Sequence, residues 1–291
     1  MGADGGSGTR RKRADAVLQA QARSARRWSW AVGSTVTVVT AVIAMLVAYS
    51  LTHPSTRPTA DHEQGRPVDP SVMRAVSSVP AGAFAAVGTG GTEKTAPQPI
   101  SGPPLRANGR PRILYVGGEY CPVCAAERWA VIASLSRFGT FQNVSTMTSS
   151  PTDSFPDTPT FSFRGSSYAS PYVSFDPYEV YDRNQRRLEQ LPSADQRLLT
   201  RLHSGGIPFV DIAGKYLVNW GQFSPEVFAG RTRRQIAHDL SNPDSAVAEQ
   251  VLGAANLFTA AVCAADGSQP ASVCDAPGVV AATKALPAKS Q

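Results

Sequence analysis

The chain has 291 residues, 42% of them apolar, with a formal net charge of +6 and four cysteines, which is enough length for one or two domains and a sizeable core. The positive charge points to nucleic acid only until it is located. Residues 1–30 carry seven basic side chains, Arg10, Arg11, Lys12, Arg13, Arg23, Arg26 and Arg27, against Asp4 and Asp15, so the remainder is close to neutral and argues against a phosphate-tracking surface on the folded part.

A basic cytoplasmic tail is expected over 1–29. From Trp30 to Leu51 the sequence runs for 22 residues without a charge, enough to cross a hydrocarbon core about 30 Å thick, and a transmembrane helix is expected over 30–51. It is longer than a cleaved signal's apolar region and has only a weak cleavage site at Ala48-Tyr49-Ser50. Basic residues crowd the N-terminal flank, while the first dozen residues after the span hold only Arg57. The positive-inside rule then expects a single-pass protein of the cell membrane, its N-terminus cytoplasmic and its C-terminal domain extracytoplasmic, where disulfides persist.

Residues 52–110 are rich in proline and glycine and read as a tether. A short helix is expected after Asp69-Pro70, where Val72, Met73, Val76 and Val79 recur at helical spacing. The folded domain is expected over 111–275, with a flexible tail over 276–291. Ile113-Leu114-Tyr115-Val116 has the pattern of a buried strand ending in Gly117-Gly118. A helix is expected from about Cys121, because Trp129, Val131, Ile132, Leu135 and Phe138 repeat at three and four. Val144 to Thr148 reads as a second strand, and Thr158–Phe163 and Tyr172–Phe175 as extended segments. Residues 184–203 look helical, with Pro192 breaking the run and Ser193 placed to cap a second helix through Leu202. Ile207–Ile212, a turn at Gly214 and Lys215–Asn219 form a hairpin, and a helical tail runs from about Arg233 to Ala264. The fold class is α/β.

Cys121 and Cys124 flank Pro122-Val123 at a strand-to-helix boundary, the placement that separates a redox CxxC from a chance one. A thiolate is the attacking species, and free N–H groups with the dipole at a helix N-terminus stabilise it. Cys121 is therefore the expected nucleophile, and Cys124 the thiol that resolves the mixed disulfide. Two blander readings stay open: a structural Cys121–Cys124 disulfide, and a zinc site shared with Cys263 and Cys274. Cys263 and Cys274 enclose a turn-rich loop and read as a structural disulfide, with a relay pair as the alternative. Glu119, Glu127 and Arg128 flank the CPVC and are candidates for tuning its pKa or moving protons, although charges near a helix start are usually solvated. Tyr168, Phe175, Tyr178 and Tyr181 read as sheet packing, or as the lining of a substrate groove. The four histidines have no metal-ligand spacing, and no metal or cofactor is expected.

On the strand, the CPVC and the element order, the chain resembles the thioredoxin-like superfamily. The stretch GGEYCPVCAAERWAVIASLSRFGTF also resembles an uncharacterised family of archaeal and actinobacterial proteins known only as a domain of unknown function. That likeness runs from about Asp69 to the region of Cys274. The superfamily implies a thioredoxin-like fold with a long insertion, and dithiol–disulfide exchange on protein thiols or disulfides. It also implies a cis-proline loop against the active-site pair, which matches Pro208, with Ile207 touching substrate, and a membrane redox partner that resets the pair. A thioredoxin-fold binding or envelope-scaffold module with inert disulfides is the competing expectation. The dipeptide is Pro-Val in place of thioredoxin's Gly-Pro, so no direction of electron flow is implied.

Overall fold

The computed structural model describes residues 64–203 and 205–288. The expected basic tail and membrane span lie outside the described residues. The sheet is built on β3 (Arg110–Gly118), which comes after two short strands, β1 (Gln98–Pro99) and β2 (Arg106–Ala107). Ile113, Leu114, Tyr115 and Val116 are all fully buried. Alternate side chains of a strand point to opposite faces, so four apolar residues in a row serve a strand covered on both sides.

On one face Ile113 and Tyr115 join the large core with α3 (Pro122–Leu135) and α6 (Ala246–Asp266). On the other, Leu114 and Val116 meet Leu191, Leu199, Phe209 and Leu217, with Leu199 supplied by α4 (Ser193–His203). β8 (Ser174–Tyr181) runs parallel to β3, pairing from Arg112–Ser174 to Gly118–Tyr181. On the opposite side β9 (Phe209–Ile212) runs antiparallel to β3, succeeded by β10 (Tyr216–Asn219) and β1. β2 pairs with the start of β3. The result is a mixed sheet, with eight α-helices among the described residues. α6 is long and apolar enough to cross a membrane, but Val247, Leu252, Leu257 and Phe258 are buried in the core.

The expected second strand exists as β5 (Ser145–Thr148), yet it does not join this sheet. It pairs with β6 (Pro159–Ser162) in a separate ribbon, while β4 (Thr140–Gln142) and β7 (Ser167–Ala169) form another. Four residues, three of them hydroxylic, suit a ribbon edge better than a strand buried on both faces. The ribbon β5–β6 is fixed along α3: Thr160 Oγ1 donates to Ala125 O at 2.7 Å and Trp129 Nε1 donates to Pro159 O at 2.9 Å.

Residues 184–191, expected helical, form a turn at Asn184 and Gln185 and then run alongside β8 without helix. The Asp182 carboxylate accepts the Asn184 and Arg186 N–H groups at 2.8 Å. This turns the chain back along β8, where the Leu188 N–H donates to Val180 O at 3.0 Å and the Glu189 N–H to Glu179 O at 3.1 Å. The helix begins only at Ser193, after Pro192. The expected C-terminal helix is likewise two, α5 (Arg233–Asp239) and α6, divided around Asn242-Pro243. Ser245 caps the second by accepting the Ala248 N–H at 3.0 Å.

The described part of the proline-rich stretch is packed on the domain. α1 (Pro70–Ser77), capped by Asp69 on the Ser71 N–H at 2.8 Å, buries Val72 and Val76. α2 (Ala81–Val87) buries Phe84, whose carbonyl accepts from Asn256 Nδ2 at 2.9 Å. The short helix α7 (Ala271–Cys274) carries one cysteine of a Cys263–Cys274 disulfide. α8 (Pro277–Ala285), in the stretch expected as a flexible tail, buries Val279 and Ala282.

Candidate functional site

The CPVC lies where β3 hands over to α3. Pro122 occupies the first helical position, where a missing N–H removes no intrahelical bond. Cys121 is the N-cap residue, with extended backbone (φ −77°, ψ 119°), and its Sγ accepts the Cys124 N–H at 3.1 Å. The sulfur thus does what a serine or aspartate oxygen does at an ordinary helix start.

The two thiols, which are not bonded to each other in this structure, are driven apart in acidity. Hydrogen bonding from the Cys124 side chain is the largest cause holding the Cys121 thiol below its ordinary pKa, assisted by the Cys124 N–H and the charge of Arg128 and opposed by burial. Cys124 is fully buried. Desolvation first, then its hydrogen bond to Cys121 and that residue's negative charge, push its thiol well up. Of the two thiols, Cys121 is therefore the one that gives up its proton more readily.

The flanking charges are not solvated as expected. Glu119 and Glu127 are buried and Arg128 is wholly so. Arg128 forms a two-pronged ion pair with Glu179 of β8, Nε to Oε1 at 2.8 Å and Nη2 to Oε2 at 2.6 Å. Nη2 also donates to Gly118 O at 2.9 Å, the carbonyl that accepts the Cys121 N–H at 3.2 Å. The guanidinium therefore holds the turn that presents Cys121. Such a pair survives burial only with close geometry and further hydrogen bonds, and both are present.

Ser162 Oγ donates to Glu119 Oε1 at 2.7 Å, and the Ser150 N–H donates to Tyr120 O at 2.8 Å, so the ribbon β5–β6 and the loop between its strands brace the same turn. Burial raises the Glu119 carboxyl. Glu127 faces elsewhere. Its Oε2 accepts the Gln222 N–H at 3.1 Å, its Oε1 has no hydrogen-bond partner among the described residues, and burial pushes its pKa up to about 7.

The peptide bond between Ile207 and Pro208 is cis. Ile207 reaches back over the CPVC turn, since a Cβ placed on Gly118 would stand 3.0 Å from both Ile207 Cδ1 and Tyr120 Cε1. The expected site residues Cys121, Cys124, Glu119, Arg128 and Ile207 are therefore gathered around one turn. Cys263 and Cys274 are bonded to each other, their Cα atoms 5.7 Å apart, at the far end of α6. Phe175 and Tyr168 pack with Phe141, whereas Tyr181 lies 6.0 Å edge-on from Tyr120 beside the turn.

Sequence reasoning missed Glu179, Ser162, Gln222 and Trp220. Only Glu179 left a signal: it falls in register with inward-facing Phe175, and an acid on the buried side of a strand needs a partner. The others reach the site through pairing and loop closure.

The described residues thus form a mixed α/β domain with a buried dithiol at a helix N-terminus. Residues 97–264, more than half of the chain, match the family described as a domain of unknown function, DUF929, and the chain belongs to that family. No curated protein and no solved structure matches the chain.

Proposed function

We propose that this protein is a membrane-anchored, extracytoplasmic thiol–disulfide oxidoreductase with a thioredoxin-like core, tethered by the span expected over 30–51. The observation that carries the reading is the asymmetry of the CPVC thiols: an N-capping Cys121 sulfur with a lowered pKa and a buried Cys124 with a raised one. The order β3, CPVC helix, parallel β8, α4, hairpin β9–β10 and α6 supports it, as does the cis Ile207–Pro208 loop at the hairpin's start.

The chemistry balances without a cofactor. The Cys121 thiolate attacks one sulfur of a substrate disulfide. That bond breaks, a Cys121–substrate mixed disulfide forms, and the leaving sulfur departs as a thiolate that takes a proton from water. Cys124, on losing its proton, attacks Cys121 Sγ, closes the Cys121–Cys124 disulfide and releases the second substrate thiol. In the opposite sense the oxidised pair transfers its disulfide to a substrate dithiol. A membrane redox partner, dithiol or disulfide according to direction, resets the pair. Arg128 and Glu179 position the turn, and Ile207 and Pro208 offer the surface against which substrate lies.

The test is the reduction potential of Cys121–Cys124 in the full chain, by alkylation and mass spectrometry across glutathione and dithiothreitol buffers. A value between about −120 and −180 mV assigns an oxidant or isomerase, and one near about −270 mV a reductant. A pair that stays oxidised below about −300 mV is a structural bond and sinks the proposal in favour of a scaffold module.

A further inference from the structure

Trp220 is the one aromatic side chain among the described residues that stands mostly in solvent, 68% exposed. Its backbone is left-handed, φ +62°, a conformation unfavourable for a bulky residue. A strained backbone holding a large apolar side chain in water is a feature of recognition surfaces more than of packing. The indole is held in place: it lies edge-on to His203 with centroids 4.5 Å apart, and His203 stacks on Phe209.

Trp220 stands beside the reactive turn. A Cβ on Gly206 would be 3.3 Å from its Cη2, which sets the indole against the Gly206-Ile207-Pro208 loop. The next residue, Gly221, approaches the CPVC so closely that a Cβ there would lie 2.4 Å from Val123 Cγ1. With Ile207 and Tyr120 meeting over Gly118, four uncharged side chains, Tyr120, Val123, Ile207 and Trp220, are carried by the CPVC turn and by the two segments packed against it. Cys121 is only 8% exposed, so a slender, extended segment suits the approach of a partner sulfur better than a bulky surface does.

We propose that Trp220 is the substrate-contact residue that selects extended polypeptides carrying an aromatic or aliphatic side chain next to the reacting cysteine. The proposal rests on the reading of Cys121 as the exchanging thiol. Stacking of that side chain on the indole is worth about 0.5–1.5 kcal/mol, up to about tenfold in rate when it is made in the transition state.

The experiment uses the full chain with Cys124→Ser, so that the mixed disulfide cannot be resolved. Short peptides with one cysteine, flanked by Phe or by Gln, are offered as mixed disulfides with thionitrobenzoate. Glutathione carrying the same group is the small control. The Cys121 thiolate attacks the cysteine sulfur, the Cys121–peptide bond forms, and thionitrobenzoate leaves as a coloured thiolate. The Phe peptide should react about two- to tenfold faster than the Gln peptide. Trp220→Ala should bring the Phe-peptide rate down to that of the Gln peptide measured on the same variant, and Trp220→Phe should keep the preference. Equal rates for both peptides, or a preference that survives Trp220→Ala, overturns the role of Trp220. Absence of thionitrobenzoate release from every substrate, glutathione included, overturns the oxidoreductase reading itself.

Discussion

Replacing Glu127 with Gln should stabilise the protein, increasingly so as pH rises. Glu127 lies wholly inside α3's packing, one oxygen held by the Gln222 N–H and the other unpartnered, and burial lifts its pKa from 4.5 to about 7. A carboxyl whose folded pKa exceeds its unfolded one holds a proton in the native state that the unfolded chain has already lost. Stability therefore falls as pH climbs from 4.5 through about 7, and the full cost is present above that. At about 1.4 kcal/mol per pKa unit, the ionised side chain costs the fold about 3 kcal/mol. Glu127→Gln keeps the shape and the acceptor for Gln222 but cannot ionise. Its advantage over the unsubstituted protein should grow from about 1 kcal/mol at pH 5 to about 3 kcal/mol at pH 8. For a domain of this size that widens the gap in Tm by roughly 5–10 °C, read by circular-dichroism melts at the two pH values. A gap that stays constant between pH 5 and pH 8 would refute the argument, because only a group that titrates there makes the difference pH-dependent.

Arg128→Met leaves the Glu179 carboxylate buried without its partner and should cost about 3–5 kcal/mol in urea unfolding. Adding Glu179→Gln should restore most of that stability, while the Cys121 pKa, followed by the pH dependence of iodoacetamide alkylation, should stay above that of the unsubstituted protein by the part the Arg128 charge contributes. Recovery of both together would mean that the guanidinium only fills space. Removing the Cys263–Cys274 disulfide with Cys263→Ala and Cys274→Ala should lower stability by about 2–4 kcal/mol and leave exchange through Cys121 at its original rate. A loss of exchange without unfolding would make that pair a relay.

The local chemistry of the site was readable from the chain itself. Ile113 to Val116 is too apolar for anything but a strand buried on both faces. Cys121-Pro122 could only begin a helix cleanly, since proline suits its first position and the preceding sulfur can cap it. The i, i+3 and i+4 pattern from Trp129 to Leu135 marked α3 as a helix, which the fold buries on every side, every residue of Pro122–Leu135 but Val123 being buried. These are statements about neighbours in sequence, where backbone geometry and side-chain type are enough.

The tertiary structure decided everything that depends on which distant segments meet. Whether Val144–Thr148 or Ser174–Tyr181 lies beside β3 is a matter of register and of both-face burial, and residues 184–191 lost their helical pattern to hydrogen bonds along β8 that no local propensity encodes. The charges near the CPVC changed meaning for the same reason. Arg128 at a helix start is ordinarily solvated, but Glu179 arrives on β8 and the ribbon β5–β6 closes over Glu119, so desolvation and pairing replace water. Trp220 is the opposite case: an aromatic residue that composition alone would place in the core is left in solvent, its ring against His203 and the Gly206 loop and its neighbour Gly221 against Val123. Neighbours in sequence place Cys121 at a helix start, because proline and a capping sulfur act locally; the charges and loops packed around it come from segments that only folding brings together.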